Sequence, residues 1–237
     1  MLRTLRIMRH MNRRVVAAAF MAVALLMAAG AAAQERPAIS ITPADPARWD
    51  LAGHVGWLGS NKSDIGADWD DWYNAGLSGV SGGYYFTPHV KADIQAAFAT
   101  EGRIYDNQPI PVPGQPFPSY RTREHFFQTA TVGASASYQF FENQWFHPSA
   151  GAGIELVRER HRVFSPQQFV PSRDPVPIVI PAETGPANVS YAVRPFVTTG
   201  FKWYVSERAF IRTDLRASFS TRGVDRVVWS TGVGVDL

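Results

Sequence analysis

Val227-Val228-Trp229-Ser230-Thr231-Gly232-Val233-Gly234-Val235-Asp236-Leu237 closes the chain, and its order of side chains decides the fold class. One parity carries Val227, Trp229, Val233, Val235 and Leu237; the other carries Ser230, Gly232, Gly234 and Asp236. A helix would scatter these residues around its circumference. A strand, whose side chains point alternately to opposite faces, sorts them into one apolar and one small or polar face. The same period of two recurs in short segments back to Trp49, so the chain predicts an all-β protein.

The other end has a different character. Arg3, Arg6, Arg9, Arg13 and Arg14 precede an apolar run over 15–30, and Ala31-Ala32-Ala33 supplies small residues for cleavage. This is the layout of a secretory signal over 1–33, with a mature start expected at Gln34. The run is short for an uncleaved span, and no cysteine follows it to take a lipid. Residues 34–48, with Pro37, Pro43 and Pro46 and no periodicity, are expected to be a disordered periplasmic tail. The remainder, 49–237, is expected to be one domain. Taking the five signal arginines from the 23 basic residues leaves 18 against 20 acidic, a formal net charge of −2. The high pI therefore belongs to the signal, and no nucleic-acid partner is expected.

After the signal no apolar run is long enough for a helical span, yet 46% of residues are apolar and 13% aromatic. A membrane-spanning β-barrel reconciles these facts, because each strand of about 9–11 residues needs to be apolar on one side only. Three passages share a layout of aromatic cluster, tight turn and new strand, around Tyr84-Tyr85-Phe86, Phe140-Phe141-Trp145 and Trp203-Tyr204. Between them lie longer polar connections. Those at 104–120 and 163–188 hold five and six prolines, 61–71 holds four aspartates, and 221–225 is shorter. Short turns on one rim and long loops on the other predict eight antiparallel strands: 49–60, 72–86, 90–103, 123–139, 146–160, 190–204, 209–220 and 226–237. Ten strands, with a further hairpin inside 163–188, is the rival, which the proline density opposes.

Alternation then sorts the faces. Leu51, Val55, Trp57, Ala92, Ile94, Phe98, Ala130, Val132, Ala134, Ile154, Leu156, Val197, Ile211, Leu215, Phe219 and Val233 are expected to face lipid. Asp50, His54, Lys91, Asp93, Gln95, Thr129, Thr131, Ser135, Glu155, Arg194, Lys202, Arg212, Asp214, Arg216 and Asp236 are expected to face inward. The outward set carries no charge, as lipid demands, since a midplane Arg or Lys there costs about 2–4 kcal/mol.

These hairpins and the final strand resemble the small outer-membrane β-barrel family that includes the membrane domain of OmpA, OmpX and OmpW-like proteins. The resemblance spans 49–237. It implies an eight-stranded up-and-down barrel in the outer membrane, with both termini periplasmic and lipopolysaccharide among its surroundings. Ser230, Gly232, Val235 and Leu237 resemble the terminal signal read by the barrel-assembly machinery, although the family usually ends on Phe. With no residue after Leu237, the peptidoglycan-binding domain of full-length OmpA is not expected.

In a barrel this narrow, side chains fill the interior. Asp50, Lys91, Asp93, Lys202, Arg212 and Asp236 are expected near one level, with Asp214, Arg216 and Glu155 higher and Arg194 also inward. Because an unpaired buried charge is costly, they are expected to pair into a plug. The alternative is a charged constriction passing small solutes. Asp64, Asp68, Asp70 and Asp71 do not follow a known calcium-loop spacing, so no metal or other cofactor is expected. His147-Pro148-Ser149 has a His-x-Ser spacing but lies at the periplasmic rim, and Glu159, His161 and Ser165 are merely adjacent, so no catalytic residues are expected. A lipid A-modifying enzyme is the third reading. Apolar residues among the prolines of 104–120 and 163–188 suit contact with an extracellular partner. The expected role is structural or surface interaction.

Overall fold

Twelve strands and no helix make up the described residues of the computed structural model, which are 48–62, 65, 72–111, 118–141, 145–170 and 177–237. The expected signal and tail therefore lie outside the described residues, Arg48 excepted. The strands are β1 (Trp49–Asn61), β2 (Trp72–Tyr85), β3 (Val90–Ala99), β4 (Gly102–Ile110), β5 (Ser119–Gln139) and β6 (Phe146–Ser165), followed by β7 (Gln168–Val170), β8 (Ile178–Ile180), β9 (Glu183–Thr184), β10 (Asn188–Tyr204), β11 (Ala209–Ser220) and β12 (Gly223–Asp236).

Neighbours pair antiparallel in the order β1–β2–β3–β5–β6–β10–β11–β12, and β12 returns to β1. Trp57 lies opposite Gly76 on one side and Trp229 on the other. The result is a closed barrel of eight staves. The third stave is built from two strands, since β4 continues the path of β3 along β5. Phe98 pairs with Ala130 but Gly102 with Phe127, so one extra residue is accommodated around Thr100, the geometry of a β-bulge. The Thr100 N–H is not lost there; it donates to the Gly76 carbonyl at 2.8 Å.

Each residue placed outward or inward from the sequence lies on that face. Val55, Ile94, Ile154 and Val233 are 60–68% exposed on the outside. In water each would forgo about 1.5–3 kcal/mol of burial, so the wall is made for lipid. Aromatic pairs gird the short-turn rim: Trp49 against Tyr84, Tyr84 against Phe86, Tyr138 against Phe140, and Trp145 against Trp203, with ring centroids 4.7–6.4 Å apart. Both ends of the barrel chain meet at that rim, where the Leu237 N–H donates to the Trp49 carbonyl at 2.9 Å.

The opposite rim departs from expectation in three places. First, 104–120 is mostly wall: β4 runs to Ile110, paired with Ser119, so the third strand does not stop at 103. Pro109 fits because β4 is an edge there and needs no donor toward open solvent. Second, 163–188 carries a hairpin after all, β7 with β8, but as a separate two-stranded sheet, while β9 pairs with the end of β6. The barrel keeps eight staves. Third, 221–225 is a tight turn in which Ser220 pairs with Gly223, and Gly223 has φ +108°, a backbone region that only glycine enters cheaply. The tips at 112–117 and 171–176, and the four aspartates, lie outside the described residues.

Candidate functional site: the barrel interior

The inward parity of the eight staves converges on a lumen filled in layers. Near the short-turn rim, Lys91 on β3 bonds Asp50 on β1 at 2.8 Å and Asp93 at 2.6 Å. Lys202 on β10 bonds Asp50 at 3.2 Å and Asp236 on β12 at 2.5 Å. Arg212 on β11 reaches Asp93 at 2.9 Å through Nη1 and Asp214 at 2.6 Å through Nε. Arg212 thus bridges the lower group to Asp214, two residues farther along β11. Tyr85 donates to Asp50 at 3.0 Å, Tyr204 bonds Asp236, and Gln139 donates to the Tyr85 hydroxyl at 3.2 Å. Phe210 lies 3.8 Å under the Lys202 ammonium. Gly83 makes the layer possible: a Cβ there would lie 2.0 Å from Lys91 Cε and 2.7 Å from Asp50 Oδ1.

Above it, Glu155 on β6 accepts from Arg216 Nη1 at 3.1 Å and Ser218 Oγ at 2.7 Å, while Arg226 Nη1 stands 3.6 Å away. Arg216 Nη2 also donates to Gln95 Oε1 at 2.7 Å. Glu155 and Arg226 are each 1% exposed. The two layers together hold five cations (Lys91, Lys202, Arg212, Arg216 and Arg226) against five carboxylates (Asp50, Asp93, Asp214, Asp236 and Glu155), so they are neutral.

The next layer is apolar. Leu58, Tyr73, Ala75, Leu77, Ala99, Ile104, Phe127 and Val228 form the buried cluster of the molecule, inside the barrel. Tyr73 stacks on Phe127 at 4.9 Å and its hydroxyl bonds Thr129 at 2.8 Å. Around this block, Lys62 pairs with Glu159 at 2.6 Å, and Arg194, which lies opposite Glu155 in the register, pairs with Asp225. At the tall rim, His161 stacks on Phe127 at 4.6 Å and its Nε2 meets His125 Nδ1 at 2.9 Å. His125 Nε2 continues to Asp106 at 3.1 Å, which Arg123 also grips. Burial acts to raise the Asp106 carboxyl, but hydrogen bonds from Arg123 and His125 outweigh it and hold the group below the ordinary carboxylate value.

Sequence reasoning named ten lumen charges and missed the groups that complete them. Tyr85, Tyr204 and Phe210 sit in aromatic runs that look like girdle, and only parity against Gly83 and Arg212 marks them as inward. Arg226 opens the last predicted strand and shares the parity of Val228 and Ser230, which by itself marks it as inward. The apolar layer went unseen because alternation alone does not tell an apolar residue facing lipid from one facing the lumen.

Of the other candidates, Ser230 and Gly232 face inward on β12, Val235 faces out, and Leu237 is 67% exposed at the rim. His147 faces the lumen near the short-turn rim, 5.3 Å from Tyr204. Glu159, His161 and Ser165 share the inward parity of β6. Glu159 is held by Lys62, and Ser165 lies about 13 Å along the strand from His161, so the three do not converge. Among the described residues no group of three or more His, Cys, Asp or Glu could hold a metal ion.

Comparison with solved structures returns barrels. Neisserial surface protein A superposes with a TM-score of 0.51 at 15% identity, covering 80% of this chain and 97% of that one. OprG of Pseudomonas aeruginosa gives 0.45 at 13% identity, covering 83% and 98%. The N-terminal β-barrel domain of OprF from the same organism gives 0.43 at 14%, covering 78% and 96%. No curated protein matches the chain. The profile of the outer membrane protein beta-barrel domain matches residues 21–235, nearly the whole length. With the closed eight-staved wall, its lipid-facing surface and its aromatic rim, this chain belongs to the outer membrane protein beta-barrel domain family and is a protein of the outer membrane.

Proposed function

We propose that the protein is a non-conducting, non-enzymatic barrel that anchors a surface-exposed wall in the outer membrane. In this reading the short-turn rim and both ends of the barrel face the periplasm. Ser230, Gly232, Val235 and Leu237 serve as the signal to the barrel-assembly machinery. The tall segments and loops of 104–120 and 163–188 meet an extracellular partner and contribute to adhesion or envelope integrity.

The observation that carries the reading is the filled lumen. Where Leu58, Thr129, Glu155, Arg216 and Arg226 meet, the space left is about 10 Å³, room for a single water. The ion pairs below that point and the stacked rings of Tyr73, Phe127 and His161 above it support a plugged lumen. The exposed apolar residues of the tall side, Phe169 at 62%, Val179 at 50% and Tyr120 at 59%, supply the contact surface.

Single-channel recording of the refolded protein in planar bilayers tests this, with shifted mobility of the unheated gel band confirming a folded barrel. A folded sample without conductance steps is the expected result; reproducible steps that change when Arg216 or Glu155 is replaced overturn it. A narrow pore is the second reading. It is favoured by a cavity of about 280 Å³ at the tall rim, lined by Lys62, Arg194, Arg222 and Asp225, which would serve as its vestibule.

A further inference from the structure

Counted from the short-turn rim, the first eleven or so residues of every stave present no charge outward, which matches the thickness of the hydrocarbon. The next outward position on β6 is Arg158, followed at the same parity by Arg160 and Arg162. On β4, just past the bulge, the outward position between buried Gly102 and Ile104 is Arg103. Register brings these together, because Arg103 lies opposite Phe126 on β5, and Phe126 lies opposite Arg162 on β6. Both guanidiniums stand over the Phe126 ring at 4.9 Å, one from each neighbouring strand. The patch extends about 13 Å along β6 and about 10 Å across the three strands.

Acidic compensation is sparse. Glu101 sits 3.7 Å from Arg162, with both side chains 43% exposed, and Glu124 shares the outward face of β5. Arg103, Arg158 and Arg160 pair with no described carboxylate. Tyr191, 65% exposed, lies opposite Arg158 on β10 and adds a hydroxyl to the patch. Directly below run Leu156, Ile154 and Val132, which are 48–60% exposed.

We propose that Arg103, Arg158, Arg160 and Arg162 bind the phosphates of a bis-phosphorylated lipid A headgroup, whose acyl chains lie along the apolar wall of β5 and β6. Guanidinium forks match phosphate oxygens in paired hydrogen bonds, and arginine sheds its water more readily than lysine. Four cations spread over this area exceed what one phosphate can span, which selects a headgroup carrying two. The position at the upper edge of the hydrocarbon selects a lipid over a soluble anion. Phe126 packs against two of the guanidiniums before the ligand arrives, lowering the ordering cost of binding.

The site requires the tall rim to face outward, as proposed above. The chain has no cysteine, so one introduced at Thr221 and challenged with an impermeant maleimide on whole cells reports orientation separately from binding. Binding is measured on the purified protein in detergent, titrated with bis-phosphorylated lipid A, the same lipid dephosphorylated, and phosphatidylglycerol. The expected result is preference for the bis-phosphorylated lipid, with affinity about tenfold or more weaker in R158Q/R160Q and in R103Q/R162Q. Equal affinity for the dephosphorylated lipid overturns the site without any variant. Equal or tighter binding of phosphatidylglycerol overturns the choice of lipid A, and full affinity in both variants places the phosphates elsewhere.

Discussion

Glu155 is the residue on which the interior turns. It accepts from Arg216 and Ser218 and neutralises the field of Arg226, all in a region with room for a single water. Glu155→Gln leaves two buried guanidiniums without a counter-charge and is expected to cost about 3–5 kcal/mol, read by urea unfolding in lipid vesicles. Replacing Glu155 and Arg216 together with methionine is expected to cost less than replacing Glu155 alone, because the larger penalty lies in the orphaned charge. Asp106 shows the same physics at the tall rim. Its carboxyl is held below the ordinary value of 3.8, so the ionised form is the one bound in the fold. That stabilisation is fully present above 3.8 and is lost as pH falls through the lowered value. Amide exchange in β4 and the outer half of β5 is therefore expected to accelerate under strong acid, while the short-turn rim stays protected. Equal protection of β4 on both sides of that window removes Asp106 from the account.

At the scale of elements, the tall side behaves as an extension of the wall rather than as a set of loops. Ladder bonds between β4 and β5 continue to Ile110 and Ser119, and those between β6 and β9 to Ser165 and Glu183. Replacing 111–118 with a short turn is expected to leave the barrel folded, since closure cost changes slowly with loop length and the cut lies above the lipid. The shifted mobility of the unheated band checks this; its loss would mean that the tip helps the wall form. The tight turn between β11 and β12 is more exacting. Gly223→Ala is expected to cost about 1 kcal/mol, measured as a lower unfolding midpoint, because the positive φ strains any side chain.

The whole molecule is held by closure. β1 bonds β12 across nearly the full length of the chain, so the ring exists only when the last strand arrives. Truncation after Gly234 removes the end of β12 that seals Leu51 and the neighbouring rim, leaving unpaired backbone groups in contact with lipid. Each such group costs several kcal/mol in hydrocarbon, so the truncated chain is expected to lose its heat-modifiable mobility. If it keeps that mobility, the seam tolerates an open edge and closure is weaker than the register indicates.

Strand starts such as Trp49, Trp72, Val90, Phe146 and Ala209, and the division of charge between the two faces, were legible in the sequence. Both follow from a period of two imposed by the strand itself against two unlike surroundings. Where strands continue beyond lipid, as in β4 and the ends of β5 and β6, that contrast vanishes and prolines look like loop. The ten lumen charges were legible as inward, because parity belongs to each strand alone. Their partners were decided only by the tertiary structure: Lys91 with Asp50 and Asp93, Glu155 with Arg216 and Ser218, Arg194 with Asp225. Which side chains meet across a barrel depends on the stagger between strands distant in sequence, and no single strand contains that quantity. The same stagger gathered Arg103, Phe126 and Arg162 from three strands onto one outer face.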